Sequence, residues 1–557
     1  MKSATATLCA GVLGLALVGV TGLIPSQQAP AWGQAASAPQ PSKVSVRRIT
    51  ESQYRHAVAD IFGADIQLNA RFEPEKREDG LLAVGSAQLS LTSSGFEQYF
   101  SLAGSIADQA LDDKHREATV GCQPVDPKKA DATCARKFIT TVGERLFRRP
   151  LDKTEIDARL KTAADGAARA GSFNSGIRLA LVSMLMAPEY LFRIELAEPD
   201  PAKPGGFRLD GYSKASRLSF LLWDAGPDPE LLEAAKSGAL HTDAGLKKQL
   251  ARMAASPRFR DGARAFFADM LQLDGFDNLI KDPGAYPKFN QSVADSAKEQ
   301  TLRTMVDLLV DKKRDYRDIF SSNETFINRY LASVYKVPFA SSDEWAPYTF
   351  PASSERAGIL TQVSFLSLFA HPAGSSPTRR GVKVHEIFMC EPTPDPPADV
   401  DFSKVRDSKS GTVRGRLLDH MDNTGCTACH RRSDPPGLAL EHFDGLGQLR
   451  LIENGAPIDV SADLDGKKIN GAAGLAQYLR NDPKIPACLV RNVYSYGTGH
   501  RTDDRDEDYL ADETSAFAAA GYRLPDLMIQ IASSPEFLTA VIPSGARQAP
   551  PSAAKPL

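Results

Sequence analysis

The sequence has 557 residues, more than a single hydrophobic core normally supports, and this length predicts several domains. Its composition is that of an ordinary globular protein, with 42% hydrophobic and 24% charged residues. The net charge of −3 excludes a strongly basic protein and argues against nucleic acid or an anionic membrane surface as the partner.

The N-terminus, residues 1–38, has the pattern of a secretory signal peptide. Lys2 precedes an uncharged apolar run, Leu8 to Ile24, and small residues follow with candidate cleavage sites after Gly33, Ala35 or Ala38. An uncleaved N-terminal anchor is the alternative. No later segment approaches the ~18 apolar residues of a membrane helix, so no transmembrane segment is expected in the mature chain. The protein is therefore predicted to be periplasmic or secreted.

The segments that follow are mainly helical in pattern. "RRITESQYRHAVADIFG" begins with a capping box formed by Thr50 and Gln53 and stops at Gly63. "FNSGIRLALVSMLMAPEYLFRIE" predicts a buried helix broken by Pro188, and "KEQTLRTMVDLLVDKKRD" predicts an amphipathic helix. Strand signals are few: the turns at 454–455 and 465–466 predict a small β-hairpin.

The predicted fold class is therefore mainly α, a multi-domain helical scaffold whose C-terminal domain carries a small β-hairpin. Loop chemistry at PAKPGG and at the Pro-rich stretch EPTPDPPADVDFSK sets the boundaries. The predicted segments are a signal peptide (1–38), an N-terminal helical region (44–200), a central helical domain (207–355), a connector region (356–400), a C-terminal domain with closing helices (401–545) and a disordered tail (546–557).

Six cysteines remain after the signal peptide, an even number that suggests disulfides in an exported chain. Cys122 and Cys134 flank a short polar loop and are predicted to form a local bridge. Cys390 and Cys488 are then left for each other, one on either side of the remaining pair. Connectivity does not follow from sequence alone, so both bridges are expectations.

The remaining pair belongs to the motif Cys426-Thr427-Ala428-Cys429-His430. A thioredoxin-like dithiol requires a βαβ setting, which this segment lacks, and zinc requires two further ligands. Covalent haem attachment requires export, two thiols and an adjacent imidazole, all of which the sequence offers. We therefore predict one covalent haem c, attached to Cys426 and Cys429, with His430 as the proximal iron ligand.

The chain resembles the planctomycete-type multi-domain cytochrome c-like proteins, which carry tandem domains of unknown function. The resemblance runs through "CARKFITTVGERLFRRPLDKTEID" and is most specific in H-x-x-N-x-x-C-x-x-C-H-x-x-x-D-P-x-G-x-x-L-E-x-F-D, from His420 to Asp444. It implies a monohaem centre on a helical scaffold, so the C-terminal domain (401–545) is expected to be a cytochrome c-like haem domain. The resemblance implies no substrate. One departure is His500, which stands in Tyr496-Gly497-Thr498-Gly499-His500-Arg501 where the family tends to read Y-x-x-G-R.

The sixth iron ligand stays open in the sequence, because no methionine occurs from Arg431 through Leu527. Met421 and Met528 both fit core packing better than ligation. A histidine from outside the attachment segment, or an open water-bound iron, is the prediction. The candidate ligands are His500, His371, His442 and Met528; His385 fits better as a buried structural histidine.

Three acidic residues follow the motif: Asp434, Glu441 and Asp444. Turn formation and capping beside Pro435 and Pro436 is the favoured role. The alternatives are support of His430, cation binding or proton transfer. The Nδ1–H acceptor for His430 is expected to be a backbone carbonyl near these prolines.

Two function classes follow. The first is an exported oxidoreductase or electron-transfer component, in which the haem serves an unidentified substrate or redox partner held by the large helical region. The alternative is a binding or scaffold protein for a surface polymer or protein complex, with a structural or sensory haem. No hydrolase motif stands out, and the first class is favoured.

Overall fold

The computed structural model describes residues 46–69, 72–204, 206–339, 344–394, 410–420 and 424–540, without the side chains of 420, 424–426 and 428. The predicted signal peptide, the Pro-rich part of the connector at 395–409, Met421 and the predicted tail lie outside these residues. No helix in the described ranges is both long and apolar enough to cross a bilayer.

The fold is mainly helical, as predicted. The α-helices are α1 Glu51–Phe62, α2 Leu82–Gly85, α3 Ser93–Ala110, α4 Arg116–Val120, α5 Ala132–Phe147, α6 Lys153–Ala170, α7 Phe173–Leu185, α8 Pro188–Leu191, α9 Gly211–Trp223, α10 Pro229–Lys236, α11 Asp243–Ala255, α12 Arg258–Met270, α13 Gln291–Val306, α14 Arg329–Tyr335, α15 Val363–Leu368, α16 Pro377–Met389, α17 Val413–His420, α18 Thr424–Leu438, α19 Gly471–Asn481, α20 Lys484–Thr498, α21 Glu507–Ala519, α22 Leu524–Ser533 and α23 Pro535–Leu538. Short 3₁₀ turns occupy Ser86–Gln88, Ala239–His241, Leu273–Asn278, Tyr316–Phe320, Ala352–Ser354 and Ile359–Thr361, and a π-turn occupies Asp307–Asp311.

The strands form two-stranded antiparallel sheets. In pairs they are β1 Val46–Arg48 with β2 Phe192–Ile194, β3 Ala197–Pro199 with β4 Phe207–Leu209, β5 Glu324–Ile327 with β6 Ala346–Thr349, β7 Ile452–Glu453 with β8 Ala456–Pro457, and β9 Ser461–Leu464 with β10 Lys467–Asn470. The predicted single C-terminal hairpin is therefore two hairpins. Asn454, Gly455, Asp465 and Gly466 all have positive φ, the conformation that a two-residue hairpin turn requires.

Local rules account for several boundaries. Helix α1 has the predicted capping box, in which the Thr50 side chain accepts from Gln53 N. The predicted break at Pro188 separates α7 from α8. The helix predicted from Lys298 begins earlier, at Gln291, and ends in the π-turn because the buried Leu308 and Leu309 stay in contact with the core there.

The described residues belong to one compact unit that contains two hydrophobic clusters. The first is built from α1 and α3 to α8. The second is larger and combines α2 with helices α9 to α16 and α19 to α23, so the predicted central and haem domains share one core.

The described part of the predicted connector region, 356–400, contains α15 and α16, whose apolar side chains are buried in the second cluster. The apolar run Val363–Leu368 and the stripe of α16 bury more surface as packed helices than as a linker.

Both predicted disulfides are present, Cys122–Cys134 and Cys390–Cys488. The second joins the C-terminal end of α16 to α20 and encloses the segment that carries the C-x-x-C-H motif.

Candidate functional site

The C-x-x-C-H motif lies in the first turns of α18. Cys429 is an exposed free thiol, and the side chain of Cys426 lies outside the described residues. His430 follows on the same helix and is half-buried. An exposed thiol and an imidazole are therefore presented next to each other on one helix.

His430 is oriented by Asp434, one helical turn further on. His430 Nδ1 lies 2.9 Å from Asp434 Oδ2 and 3.1 Å from Oδ1. The Asp434 carboxylate is buried and also accepts from Thr378 Oγ1 at 2.7 Å. The hydrogen bond to Asp434 raises the pKa of His430, against the opposing effect of burial.

The expected acceptor for His430, a backbone carbonyl near Pro435 or Pro436, is thus wrong. The i, i+4 spacing of histidine and aspartate on a helix places the two side chains on one face and was the available signal. Of the alternatives considered for Asp434, the structure favours support of the imidazole over turn formation.

Helix α18 packs against α16 with unusually close backbones. A Cβ atom on Gly381 of α16 would lie 1.5 Å from Ser433 O, and one on Gly437 of α18 would lie 1.8 Å from Pro377 O. Each helix therefore needs glycine at the crossing point. This close approach is what brings Thr378 within reach of Asp434.

The prolines of α18 create a second link to α16. Pro436 has no N–H to donate to the carbonyl of Arg432, four residues earlier. That carbonyl instead lies 3.2 Å from His385 Nε2, while His385 Nδ1 lies 2.9 Å from Glu391 Oε2. His385 is buried with both nitrogens engaged, as its structural interpretation predicts.

The other two acids have different roles. Asp444 accepts from Leu446 N and Gln448 N, both at 2.9 Å, which is the predicted turn-forming role. Glu441 is buried and accepts from Ser375 Oγ at 2.8 Å and Arg450 Nη2 at 2.7 Å, so its role is an internal ion pair.

The four candidates for the sixth ligand differ in their surroundings. Met528 is fully buried in the second cluster, in line with core packing. His442 contacts Glu355 through Nδ1 and Ile458 O through Nε2 at 3.3 Å. Both nitrogens of His442 are therefore engaged within the protein.

His500 and His371 remain less constrained. His500 Nε2 lies 3.5 Å from Asp506 Oδ2, and its Nδ1 is buried with no hydrogen-bond partner among the described residues. His371 is exposed in the loop before α16, and partial desolvation of its ring, followed by the charges of Arg379 and Lys281, lowers its pKa. A lowered pKa favours the neutral imidazole that ligates metals.

Exposed apolar side chains flank the motif. Helix α17, which precedes it, contacts β7 through the bonds of Val413 N and Arg416 to Glu453. The exposed side chains are Leu418 of α17, Ile452 of β7 and Leu451, the residue before β7. An exposed thiol, an oriented imidazole and apolar side chains are among the groups that hold an attached haem, so the described residues are compatible with this cofactor; the side chain of the second cysteine, Cys426, lies outside them.

Five family models match the chain in tandem, each described as a protein of unknown function. They are DUF1587 at residues 47–112, DUF1595 at 134–195, DUF1592 at 209–337, DUF1588 at 356–453 and DUF1585 at 465–537. This is the domain set of the planctomycete-type cytochrome c-like proteins. The motif falls within the DUF1588 match. No curated protein and no solved structure gives a significant match.

A cleft of about 540 Å³ lies between the DUF1588 and DUF1592 matches. Thr378 and Arg379 of α16 line one side, and Gln272 and Asn278 line the other. Because Thr378 also donates to Asp434, this cleft reaches the residue that orients His430.

A second cleft, of about 470 Å³, adjoins the first and shares Arg77, Gln272 and Lys383 with it. Its far end is lined by Arg491. Arg379 and Arg491 make no ion pair within the described ranges, whereas Arg77 pairs with acids of the protein. The two clefts, which we call the α16 groove, thus carry uncompensated positive charge.

Proposed function

We propose that the chain is an exported c-type cytochrome protein that acts as an oxidoreductase or electron-transfer component. Haem c is held by thioethers from Cys426 and Cys429, with His430 on the iron. The observation that carries this proposal is the buried Asp434, which orients His430 beside the exposed thiol of Cys429. A bound haem supplies a one-electron redox centre.

The chain's own residues prepare the proximal side. Asp434 holds the proton on Nδ1 of His430 and directs Nε2 toward the metal, as carboxylate–histidine pairs do in metal sites. Thr378 donates to Asp434 and fixes its rotamer. The imidazole is thereby more electron-donating than one that faces water, which favours the oxidised state of the centre.

For the sixth position we propose a histidine from outside the attachment segment or water, since no methionine follows His430 until the core residue Met528. Two measurements distinguish histidine from water at this position: optical and EPR spectra of the ferric protein, and carbon monoxide addition to the ferrous form. A low-spin centre that resists carbon monoxide indicates histidine; a high-spin centre that binds it indicates an open site. A far-red sulfur band would contradict both.

The α16 groove is the proposed contact region for the substrate or redox partner. Thr378 joins the groove to Asp434, and Arg379 and Arg491 favour an acidic group there. The purified protein should turn over a redox dye with its substrate, and Arg379→Glu should slow that turnover. Tight binding of a surface polymer or protein without any electron transfer would instead support the scaffold alternative.

A further inference from the structure

A cluster of four charged side chains is buried behind the β1–β2 sheet. Arg47 comes from β1, Arg193 from β2, Glu195 from the residue after β2, and Arg217 from α9. None is more than 3% exposed. The cluster lies outside the motif and the α16 groove, and neither uses it.

The Glu195 carboxylate accepts hydrogen bonds from two of the three guanidinium groups. Glu195 Oε1 accepts from Arg47 Nη2 at 3.1 Å and from Arg217 Nε at 2.9 Å. Arg193 makes no hydrogen bond to Glu195, because its Nη2 lies 3.9 Å from Glu195 Oε1, beyond hydrogen-bond distance. Its guanidinium stacks over the Phe220 ring, 4.5 Å from the centroid.

Several N–H donors in the cluster have no hydrogen-bond acceptor among the described residues. Arg193 Nε, Arg193 Nη2 and Arg47 Nε are buried and have no hydrogen-bond partner among the described residues. Such donors are rare in folded proteins, because an unmade buried hydrogen bond destabilises the folded state. Both arginines therefore present unused N–H groups inside the protein.

The charges do not balance either. Among the described residues of the cluster, three guanidinium groups and one carboxylate give a net charge of +2 in a buried space. Arg148 adds to the positive potential, and its own donors are directed at backbone carbonyls, including Glu189 O and Phe192 O. Burial, followed by the charge of Arg47, lowers the pKa of Arg193, which reflects how unfavourable its charge is there. A water molecule could accept the unused hydrogen bonds but could not offset this charge.

We propose that the cluster binds a small inorganic anion, a halide such as chloride, against Arg193 and Arg47. The anion accepts the unused N–H groups and offsets the charge. It has to be small, because the side chains that form the site are almost fully buried.

The position of the cluster indicates what the anion does. Arg47 also donates to Gly497 O of α20 at 3.2 Å, and Arg217 donates to Phe537 O of α23 at 2.5 Å. The cluster thus ties the β1–β2 sheet to α9 and to the C-terminal helices. An anion bound here stabilises the contact between segments that match four different family models.

Thermal unfolding of the full mature protein tests the proposal. At constant ionic strength, with gluconate replaced stepwise by chloride, Tm should rise and then saturate as the site fills. Arg193→Met should abolish this chloride dependence. Arg356→Met, which removes another buried arginine in a distant part of the second cluster, should lower Tm and leave the chloride dependence in place.

Crystals grown in bromide give a test that needs no variant. An anomalous peak beside the Arg193 guanidinium is expected. Equal Tm values in chloride and gluconate, or no anomalous peak at this position, would overturn the proposal.

Discussion

Asp434 is the residue on which the candidate site depends most directly. It is buried between two helices, accepts from His430 and Thr378, and carries a negative charge that makes the imidazole a stronger donor to a metal. A carboxylate in this place stabilises the more positive, oxidised state of an iron bound to His430.

Asp434→Asn should therefore raise the midpoint potential of the haem, because a neutral amide is a weaker acceptor for the Nδ1 proton. Potentiometric titration of the purified protein measures the change. Asp444→Asn is the matched control. Among the described residues, the Asp444 carboxylate accepts from backbone N–H groups of its own turn, so this variant should leave the potential unchanged. Equal potentials in the two variants would contradict the assigned role of Asp434.

A second residue-scale contact joins the two hydrophobic clusters. Asp224, which follows α9, is buried and accepts from Ser52 Oγ at 2.5 Å. His56 Nδ1 of α1 lies 2.9 Å from the same carboxylate. Burial alone would lower the pKa of His56, but the hydrogen bond and charge of Asp224 outweigh it and raise the pKa, with Asp261 adding to this effect.

The free energy of unfolding should therefore depend on pH through His56. Because its pKa is raised in the folded state, the stabilisation is present below the unfolded-state pKa of about 6.5 and is lost as pH rises through the folded-state value. The side chain is 40% exposed, so the effect is less than about 1 kcal/mol. Urea unfolding between pH 5.5 and 8.5 should show this loss in the wild type and a flatter profile in His56→Gln; identical profiles would refute it.

At the scale of elements, the α16–α18 pair holds the site together. Their backbones approach through Gly381 and Gly437, and this closeness allows Thr378 to reach Asp434. The second tie is the Cys390–Cys488 disulfide, which fixes the end of α16 to α20.

Gly381→Ala should separate the two helices, because its Cβ would lie 1.5 Å from Ser433 O, which is backbone and cannot move aside. We expect a loss of about 1–3 kcal/mol in unfolding free energy and reduced haem incorporation. Gly374→Ala, a glycine with no atom within 4 Å of the added Cβ, should be nearly neutral. Similar losses in both variants would show that the crossing is not tight.

The two disulfides should differ in their effect on stability. Their cysteines are 98 and 12 residues apart, and the entropy lost by the unfolded chain grows with loop length. Replacing Cys390 and Cys488 with serine should therefore cost about 2 kcal/mol more than replacing Cys122 and Cys134. Chemical unfolding of the two double variants makes the comparison, and an equal or reversed order would contradict it.

Local patterns explain which features could be predicted from sequence. The capping box of α1, the hairpin turns and the Cys122–Cys134 bridge each involve residues close together in the chain. The contact of Asp434 with His430 also has a local signal, their i, i+4 spacing, whereas its second partner, Thr378, lies 56 residues away and has none.

The burial of α15 and α16 also lacks a local signal. The Pro-rich stretch that follows them predicts a connector, whereas their burial comes from contacts with distant helices. The cluster around Glu195 also has no sequence signal, since Arg47 and Arg217 are 170 residues apart.

At the scale of the whole molecule, five tandem domain matches pack around two hydrophobic clusters, and the larger one combines the central segment with the segments of the predicted haem domain. The α16 groove lies where four of these matched segments meet, along the helix that supplies Thr378. Under the proposed function, the large helical region therefore builds a partner or substrate surface beside the haem.

The central claim is covalent haem at Cys426 and Cys429. The most direct measurement is a pyridine haemochrome spectrum of protein purified from the periplasm, before and after acid-acetone extraction, for the wild type and for Cys429→Ser. We predict a c-type spectrum that survives extraction in the wild type and is lost or shifted in the variant. Haem that extracts freely from the wild type, or zinc in its place, would contradict the claim.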